Sequence, residues 1–262
     1  MTDIKLIATD MDGTLLNNRK QLPPDFIPWV KAHPQLLTVI ASGRQYYTLY
    51  RDFREIGDQL VFIADNGGFI FEKGKMTYCN AMSRECVELC LDQLRTMPEI
   101  TPIVCGAESA YMRHGNPEAE EQAAHYYARI TFVEDLYSAA AGDRIAKIAL
   151  FIPGGQAEEV GKTFRCAHES LHFSVSGRDW IDISNAGIHK GAAIREIRRQ
   201  HGIAREECMA FGDFMNDREM LEECGESYAM ENACDGIKAI AKHRAPSNEE
   251  NGVMQILQKI FP

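Results

Sequence analysis

Residues 4–8, 36–41 and 60–64 are each apolar almost without a break, and helical patterns separate them. A strand with one wet face alternates apolar and polar residues. A strand that is apolar throughout must be covered on both faces, as in a parallel sheet reached by helical crossovers. The intervening segments fit. A polar stretch, 17–20, leads to a helix over 24–32 that Pro24 opens and Pro34 closes, and a second helix covers 46–56. This rhythm predicts an α/β fold with a doubly wound, mostly parallel sheet.

The rhythm breaks near residue 70. Residues 69–71 and 75–78 read as a short hairpin around Lys73-Gly74, and 84–97 as an amphipathic helix. From there to about 186 the strands are mixed in polarity, with 145–152 and 179–183 the clearest. The first pattern then resumes. A helix over 192–200 is ended by Gly202, and the apolar run 208–211 is followed by a short helix over 218–223. We therefore expect a core of 1–82 and 187–262, with 83–186 inserted as a large α+β cap. Residues 80–84 and 184–188 would be hinges, with Gly187 the pivot.

Bulk properties narrow the function. The formal net charge is −10 over 262 residues, which argues against nucleic-acid and membrane-surface roles. No apolar run approaches the roughly 20 residues that span a bilayer, and Met1 leads straight into the first strand without a signal-like segment. The eight cysteines contain no Cys-x-x-Cys pair, and several lie within apolar stretches. They read as reduced thiols in a cytoplasm. Oligomeric state leaves no mark in the sequence.

Chemistry gathers at the strand ends. The first run ends on Asp10-Met11-Asp12-Gly13-Thr14, the second on Ser42-Gly43-Arg44, and the run 208–211 on Gly212-Asp213-Phe214-Met215-Asn216-Asp217. If the strand continues through them, Asp10 and Asp12 point to one side and repel unless a cation or proton intervenes. A capped turn would explain that pair alone, but not the other two ends. Ligands of doubly wound sheets sit beyond the carboxyl ends of the strands, so these stretches are expected to meet at one edge. The carboxylates of Asp10 and Asp213 are hard oxygen ligands suited to Mg²⁺. The Ser42 hydroxyl and Gly43 N–H can donate to phosphate oxygens. Lys190, near a helix start, adds positive charge, and Asn216 adds an amide donor. A carboxylate facing a metal-bound phosphate can attack phosphorus and form an aspartyl-phosphate.

These stretches, with His189-Lys190-Gly191, resemble the four ordered motifs of the haloacid dehalogenase superfamily. The large insert is similar to that of its Cof-type phosphatase branch. The resemblance runs from residue 4 to about 253 and includes Ala245-Pro246-Ser247-Asn248 and Asn251-Gly252-Val253. It implies a Mg²⁺-dependent phosphatase of small phosphorylated metabolites. Asp10 would be nucleophile and metal ligand. Asp12 would bind metal through its carbonyl, while its carboxyl, its pKa raised by its neighbour, serves as general acid and base. Asp213 would complete the metal site. Asp217 would hold a metal-bound water or Lys190. Met11 N–H, Ser42, Gly43, Lys190 and Asn216 would hold phosphate. Arg218 stands where the family often has an apolar residue. A phosphomutase would use the same motifs. A receiver-type signalling domain also phosphorylates an Asp, but the insert and Asp12 speak against it.

Arg44, Arg113, His114, Trp180, Asp182 and His189 are candidates for leaving-group contact, with packing or exposure the alternative for each. Two further patterns carry little weight. His168-Glu169-Ser170-Leu171-His172 fits a zinc-protease helix, but His172 abuts a strand-like run. Residues 155–163 resemble a P-loop, yet their glycine spacing is wrong and Glu158 and Glu159 would repel phosphate.

Overall fold

The computed structural model describes residues 3–262. In chain order its first elements are β1 (Leu6–Asp10), α1 (Phe26–Ala32), β2 (Leu37–Ala41), α2 (Tyr46–Asp52), β3 (Leu60–Ala64), β4 (Phe69–Glu72) and β5 (Lys75–Cys79). Then come α3 (Arg84–Leu94), β6 (Thr101–Gly106), β7 (Ala110–Met112), α4 (Pro117–Tyr126), β8 (Ile130–Phe132), α5 (Leu136–Ala141), β9 (Ile145–Phe151), α6 (Ala157–Thr163), β10 (Leu171–Gly177) and β11 (Trp180–Asn185). The chain closes with α7 (Lys190–His201), β12 (Cys208–Gly212), α8 (Arg218–Glu222), β13 (Glu226–Met230), α9 (Asp235–Ile240), β14 (His243–Ala245) and α10 (Gly252–Ile260).

The described residues divide into two compact units. One runs up to Tyr46 and includes Asp52–Tyr78 and His189–Pro262; the other holds Tyr47–Arg51 and Cys79–Ile188. The first is built on an eight-stranded sheet in the order β14-β13-β12-β1-β2-β3-β4-β5. Its strands are parallel from β14 to β3, and β4 turns back antiparallel to open the edge hairpin. That hairpin turns at Lys73 and Gly74, both with positive φ, as a two-residue turn requires. Every residue of β1, β3 and β12 is buried, the physical reason these runs are apolar on both faces. Each fully buried Leu, Ile or Phe among them contributes about 1.5–3 kcal/mol.

Register aligns the chemistry. Asp10 pairs with Ala41, so Ser42 follows just beyond it. Thr9 pairs with Phe211, so Asp213 lies just past the same level on the other flank. The chain leaves β1 for β2 on one side while β12 occupies the other, which makes this edge the switch point of the sheet.

The second unit has a six-stranded sheet in the order β10-β11-β9-β6-β7-β8, antiparallel apart from β7 with β8. Here side chains alternate. Ile148 and Leu150 of β9 pack with Cys90, Leu91 and Leu94 of α3, whereas Ala149 and Phe151 pack with Ala119 and Ala123 of α4 and with Trp180. No helix among the described residues is long and apolar enough to cross a membrane.

Candidate active site

The site lies in the first unit and grows from a buried lysine. Lys190 is the first residue of α7 and has no exposed surface. Its Nζ donates to Asp10 Oδ1 and to Asp217 Oδ1, both at 2.6 Å. The local sequence secures this seat. His189 caps the helix, its ring Nδ1 accepting from Ala192 N at 3.1 Å. A Cβ on Gly191 would run into the carbonyl of Glu219, so only glycine lets α7 pass this close to α8. A Cβ on Gly67, at φ +108°, would lie 2.6 Å from the His189 carbonyl.

Asp217 is fully buried and turns its other oxygen inward, where Oδ2 accepts from Asp213 N at 2.9 Å and Phe214 N at 3.3 Å. It thus shapes the loop that carries Asp213. The Thr14 hydroxyl donates to Asp213 Oδ1 at 3.0 Å. Gly13, at φ +86°, passes directly over Asp213, whose Oδ2 occupies the space a Cβ would need. Asn232 Nδ2 donates to the Gly13 carbonyl at 2.7 Å and holds this loop from above.

Asp10, Asp213 and Asp217 each bring one carboxylate oxygen within 4.8 Å of the others. Three acids face one ammonium, and the strain shows in their proton affinities. Burial pushes Asp10 up to about 7; Lys190 opposes this, while Asp217 and Asp213 add to it. Burial and the Asp217 charge raise Asp213 to about 6. Burial alone would lower Lys190, but Asp10 and Asp217 outweigh it and hold the ammonium charged. Excess negative charge on hard oxygen donors fits a divalent cation, with Asp10 and Asp213 the groups that most need one.

Asp12 departs from the expectation of a carboxyl raised by its neighbour. The strand ends at Asp10, so the side-by-side geometry of a strand does not extend to Asp12. Its carboxylate turns to Arg44 instead. Arg44 Nη2 donates to Oδ1 at 2.6 Å and Nε to Oδ2 at 2.9 Å, and Lys20 Nζ reaches Oδ1 at 2.7 Å. Partial burial raises this carboxyl, but the two cations outweigh burial and hold it below the usual range.

Ser42 is buried, and its Oγ accepts from Arg44 N at 3.2 Å. Asn66 closes the opposite wall. At φ +54° its amide packs against Gly43, where a Cβ would meet Nδ2 at 3.0 Å, and its Oδ1 accepts from Asn216 Nδ2 at 3.4 Å. Met11 has no exposed side chain, and its carbonyl accepts from Leu16 N at 2.8 Å. The structure therefore brings Asp10, Met11, Asp12, Ser42, Gly43, Arg44, Lys190, Asp213, Asn216 and Asp217 to one sheet edge.

Three contributors to the site lie outside the sequence motifs. Lys20 lies within the polar segment 17–20, Asn66 just past the apolar run 60–64, and Asn232 outside every motif. The third strand end, Asp65-Asn66-Gly67, was the signal for Asn66. Lys20 and Asn232 leave none, since chain folding alone brings them here.

The remaining candidates are placed differently. His189 belongs to the first unit, but its ring serves as the α7 cap. In the second unit Trp180 packs on Phe151 and Tyr126 at ring separations of 5.3 and 5.5 Å. Asp182, two residues on and on the same sheet face, accepts from Lys147 Nζ at 3.3 Å. His114 stacks on Phe132 at 4.0 Å and pairs with Glu120, beside the exposed Arg113. The two weak patterns dissolve. His172 lies on β10 and His168 before it, so they share no helix face. Gly155 N donates to Asp179 Oδ1 at 2.5 Å, and Glu158 and Glu159 fill the first turn of α6.

Comparison with known proteins bears on this arrangement. The family model for haloacid dehalogenase-like hydrolases matches residues 7–257. The 5-amino-6-(5-phospho-D-ribitylamino)uracil phosphatase YbjI of Escherichia coli (strain K12) is 34% identical, covering 98% of this chain and 96% of its own. An HMP-PP phosphatase of Klebsiella pneumoniae (strain 342) is 26% identical over 91% of this chain and 88% of its own. Among solved structures, SMU.1108c from Streptococcus mutans UA159 matches with a TM-score of 0.84 at 27% identity, covering 98% of both chains. TM0651 from Thermotoga maritima has a TM-score of 0.87 at 21% identity, covering 99% and 98%, a likeness of fold alone.

Proposed function

The chain belongs to the haloacid dehalogenase-like hydrolases, and from that premise we propose that it is a Mg²⁺-dependent phosphatase of small phosphate monoesters working through an aspartyl-phosphate on Asp10. The observation that carries this reading is the Asp10–Lys190–Asp217 triad beside Asp213 at the carboxyl edge of the sheet.

Lys190 pins Asp10 Oδ1, which leaves Oδ2 to attack phosphorus. Asp217 shares the ammonium, so Lys190 stays charged and fixed while the substrate changes. Ser42, the Gly43 and Met11 N–H groups and Asn216 would hold the phosphate oxygens in line for attack. Arg44 and Lys20 hold Asp12 low in the free site; beside the charge of a bound phosphate its carboxyl would take up the proton that it gives to the leaving alcohol, and it would then take one from the hydrolytic water, so that Asp10 returns to carboxylate. Asp10, Asp213 and the Asp12 carbonyl would hold Mg²⁺. When bound, the cation neutralises phosphate charge and so lessens the repulsion between the ester and Asp10.

We further propose that residues 83–186 act as a cap on a core of 1–82 and 187–262, excluding bulk water and selecting the leaving group through Arg113, His114, Trp180 and Asp182. Its setting would be the cytoplasm. The activities of the phosphatase relatives direct the substrate search toward phosphorylated pyrimidine-type compounds alongside sugar phosphates.

Phosphate release across a panel of such esters, with and without chelator, tests this. Turnover that stops with chelator and returns with Mg²⁺ supports the reading; turnover indifferent to chelator contradicts the metal assignment.

A further inference from the structure

Asp12 must move one proton in each half of the proposed reaction, and on that reading its orientation matters as much as its presence. In the first half the bond from Asp10 to phosphorus forms as the ester P–O bond breaks, and the Asp12 proton goes to the departing oxygen. In the second half a water oxygen bonds to phosphorus and the Asp10–phosphorus link breaks. Asp12 takes the water's proton. Both transfers need the same carboxyl oxygen aimed at the same place.

We propose that Lys20 and Arg44, the latter braced by Asp52, are positioning residues that aim the Asp12 carboxyl. The guanidinium meets both carboxylate oxygens, Nη2 at 2.6 Å and Nε at 2.9 Å, and this planar fork fixes the plane of the carboxyl as a point charge does not. Oδ1 takes a second cation, Lys20 Nζ at 2.7 Å. Oδ2, with one donor against two, is the oxygen left to carry the proton.

An incidental surface ion pair would need neither partner held in place, and here both are. Arg44 Nη1 donates to Asp52 Oδ2 at 3.2 Å, its backbone N–H to Ser42 Oγ at 3.2 Å, and its carbonyl accepts from Asp65 N at 3.1 Å. Lys20 adopts φ +61°, an unusual conformation for a lysine. The surrounding loop enforces it. Lys20 N donates to the Asn17 carbonyl at 2.8 Å, and Asn17 Oδ1 accepts from both Arg19 N and Gln21 N at 3.0 Å. The buried Asn248 ties this loop down, its Nδ2 donating to the Leu16 carbonyl at 2.9 Å and Asn18 Oδ1 at 3.2 Å. These contacts hold the Lys20 backbone, and so the root of its side chain, in one place beside Asp12.

Leaving-group dependence separates positioning from structure. An alkyl phosphate needs a proton on its leaving oxygen; 4-nitrophenyl phosphate does not. Single-turnover phosphoenzyme formation is measured with both esters for the unsubstituted enzyme, Arg44→Ala, Arg44→Lys, Lys20→Ala and Asp52→Asn. Arg44→Ala should slow the alkyl ester by about 10²-fold, the scale of lost general acid catalysis, and the nitrophenyl ester by no more than about 3-fold. Arg44→Lys should restore only part of the difference, because charge returns without the fork. Lys20→Ala, on an exposed loop, and Asp52→Asn should show the same selectivity with smaller losses. Equal losses on both esters, or none, overturn the proposal. An unsubstituted enzyme that releases phosphate from neither ester removes the phosphatase reading; normal turnover with matched losses in the variants removes the clamp alone.

Discussion

The two flanks of the loop after β1 hold carboxylates two residues apart in opposite surroundings. On the closed flank Asp10 is almost wholly buried, shares one ammonium with Asp217, and is pushed by burial up to about 7. On the open flank Asp12 is partly exposed, faces Lys20 and Arg44, and is held below the ordinary carboxylate range. The difference teaches how one strand end supports two tasks. The closed flank sets three acids against one ammonium, and on the proposed mechanism a cation would balance them and leave Asp10 free to act as nucleophile. On the open flank two cations converge on the one carboxylate of Asp12, an arrangement suited to orienting it.

The comparison breaks most visibly at Asp10. Asp10→Asn should remove phosphate release almost completely, by 10³-fold or more on the order of nucleophile losses elsewhere, with the fold intact by circular dichroism. Activity near that of the unsubstituted enzyme would remove the closed flank from the chemistry. Lys190→Met comes next. It leaves two buried acids without their shared counter-charge, and urea unfolding should show a loss of about 3–5 kcal/mol. A loss below about 1 kcal/mol would mean that the ammonium is not what holds the acids together.

Acidity sharpens the contrast, because the flanks act in opposite directions. The folded value of Asp10, about 7, lies above its ordinary 3.8, so its contribution to stability is complete below pH 3.8 and is lost as pH rises through 7. Asp213, at about 6, behaves alike. Asp12 lies below 3.8, so its contribution is present above that value and is lost as pH falls through the lower, folded one. In chelator, unfolding midpoints should therefore decline from pH 5 to pH 8, and Mg²⁺ should flatten that decline by favouring the carboxylates. A metal-free midpoint that rises over this range would contradict the charge balance assigned to the closed flank.

The smallest effect tests whether the seat of Lys190 matters beyond stability. His189→Ala removes the cap of α7, and Asn116→Ala removes that of α4, where Asn116 Oδ1 accepts from Ala119 N at 3.2 Å. Each should cost about 1 kcal/mol in thermal or urea unfolding. Only His189→Ala should also slow phosphoenzyme formation, because α7 begins on Lys190. Equal rates in the two variants would show that the helix start tolerates the loss.

Much of the first unit was legible in the sequence because parallel strands must be apolar on both faces, and their ends therefore stand out as the first polar residues. Ser42 after Ala41 and Asp213 after Gly212 were visible in this way. Register then brought them level with Asp10. What escaped depended on backbone paths that residue types do not encode. Lys20 reaches Asp12 only because its loop folds with a positive φ, and Asn66 reaches Gly43 for the same reason. The expected pairing of Asp10 with Asp12 assumed that the strand continued, whereas it stops at Asp10 and Gly13 turns the chain. The first helix begins at Phe26, two residues after the Pro24 start that the sequence suggested. In the second unit alternation spreads polar residues along the strands. A pair such as Lys147 and Asp182 therefore emerges only once β9 and β11 lie side by side.

The claim on which the rest depends is that Asp10 carries the phosphoryl group. Acid quenching during steady-state turnover, followed by peptide mass spectrometry, tests it directly. The expected result is one phosphoryl group on the peptide that contains Asp10, labile to hydroxylamine and absent in Asp10→Asn. A phosphoryl group on any other residue, or sustained turnover with no phosphorylated peptide, would contradict it.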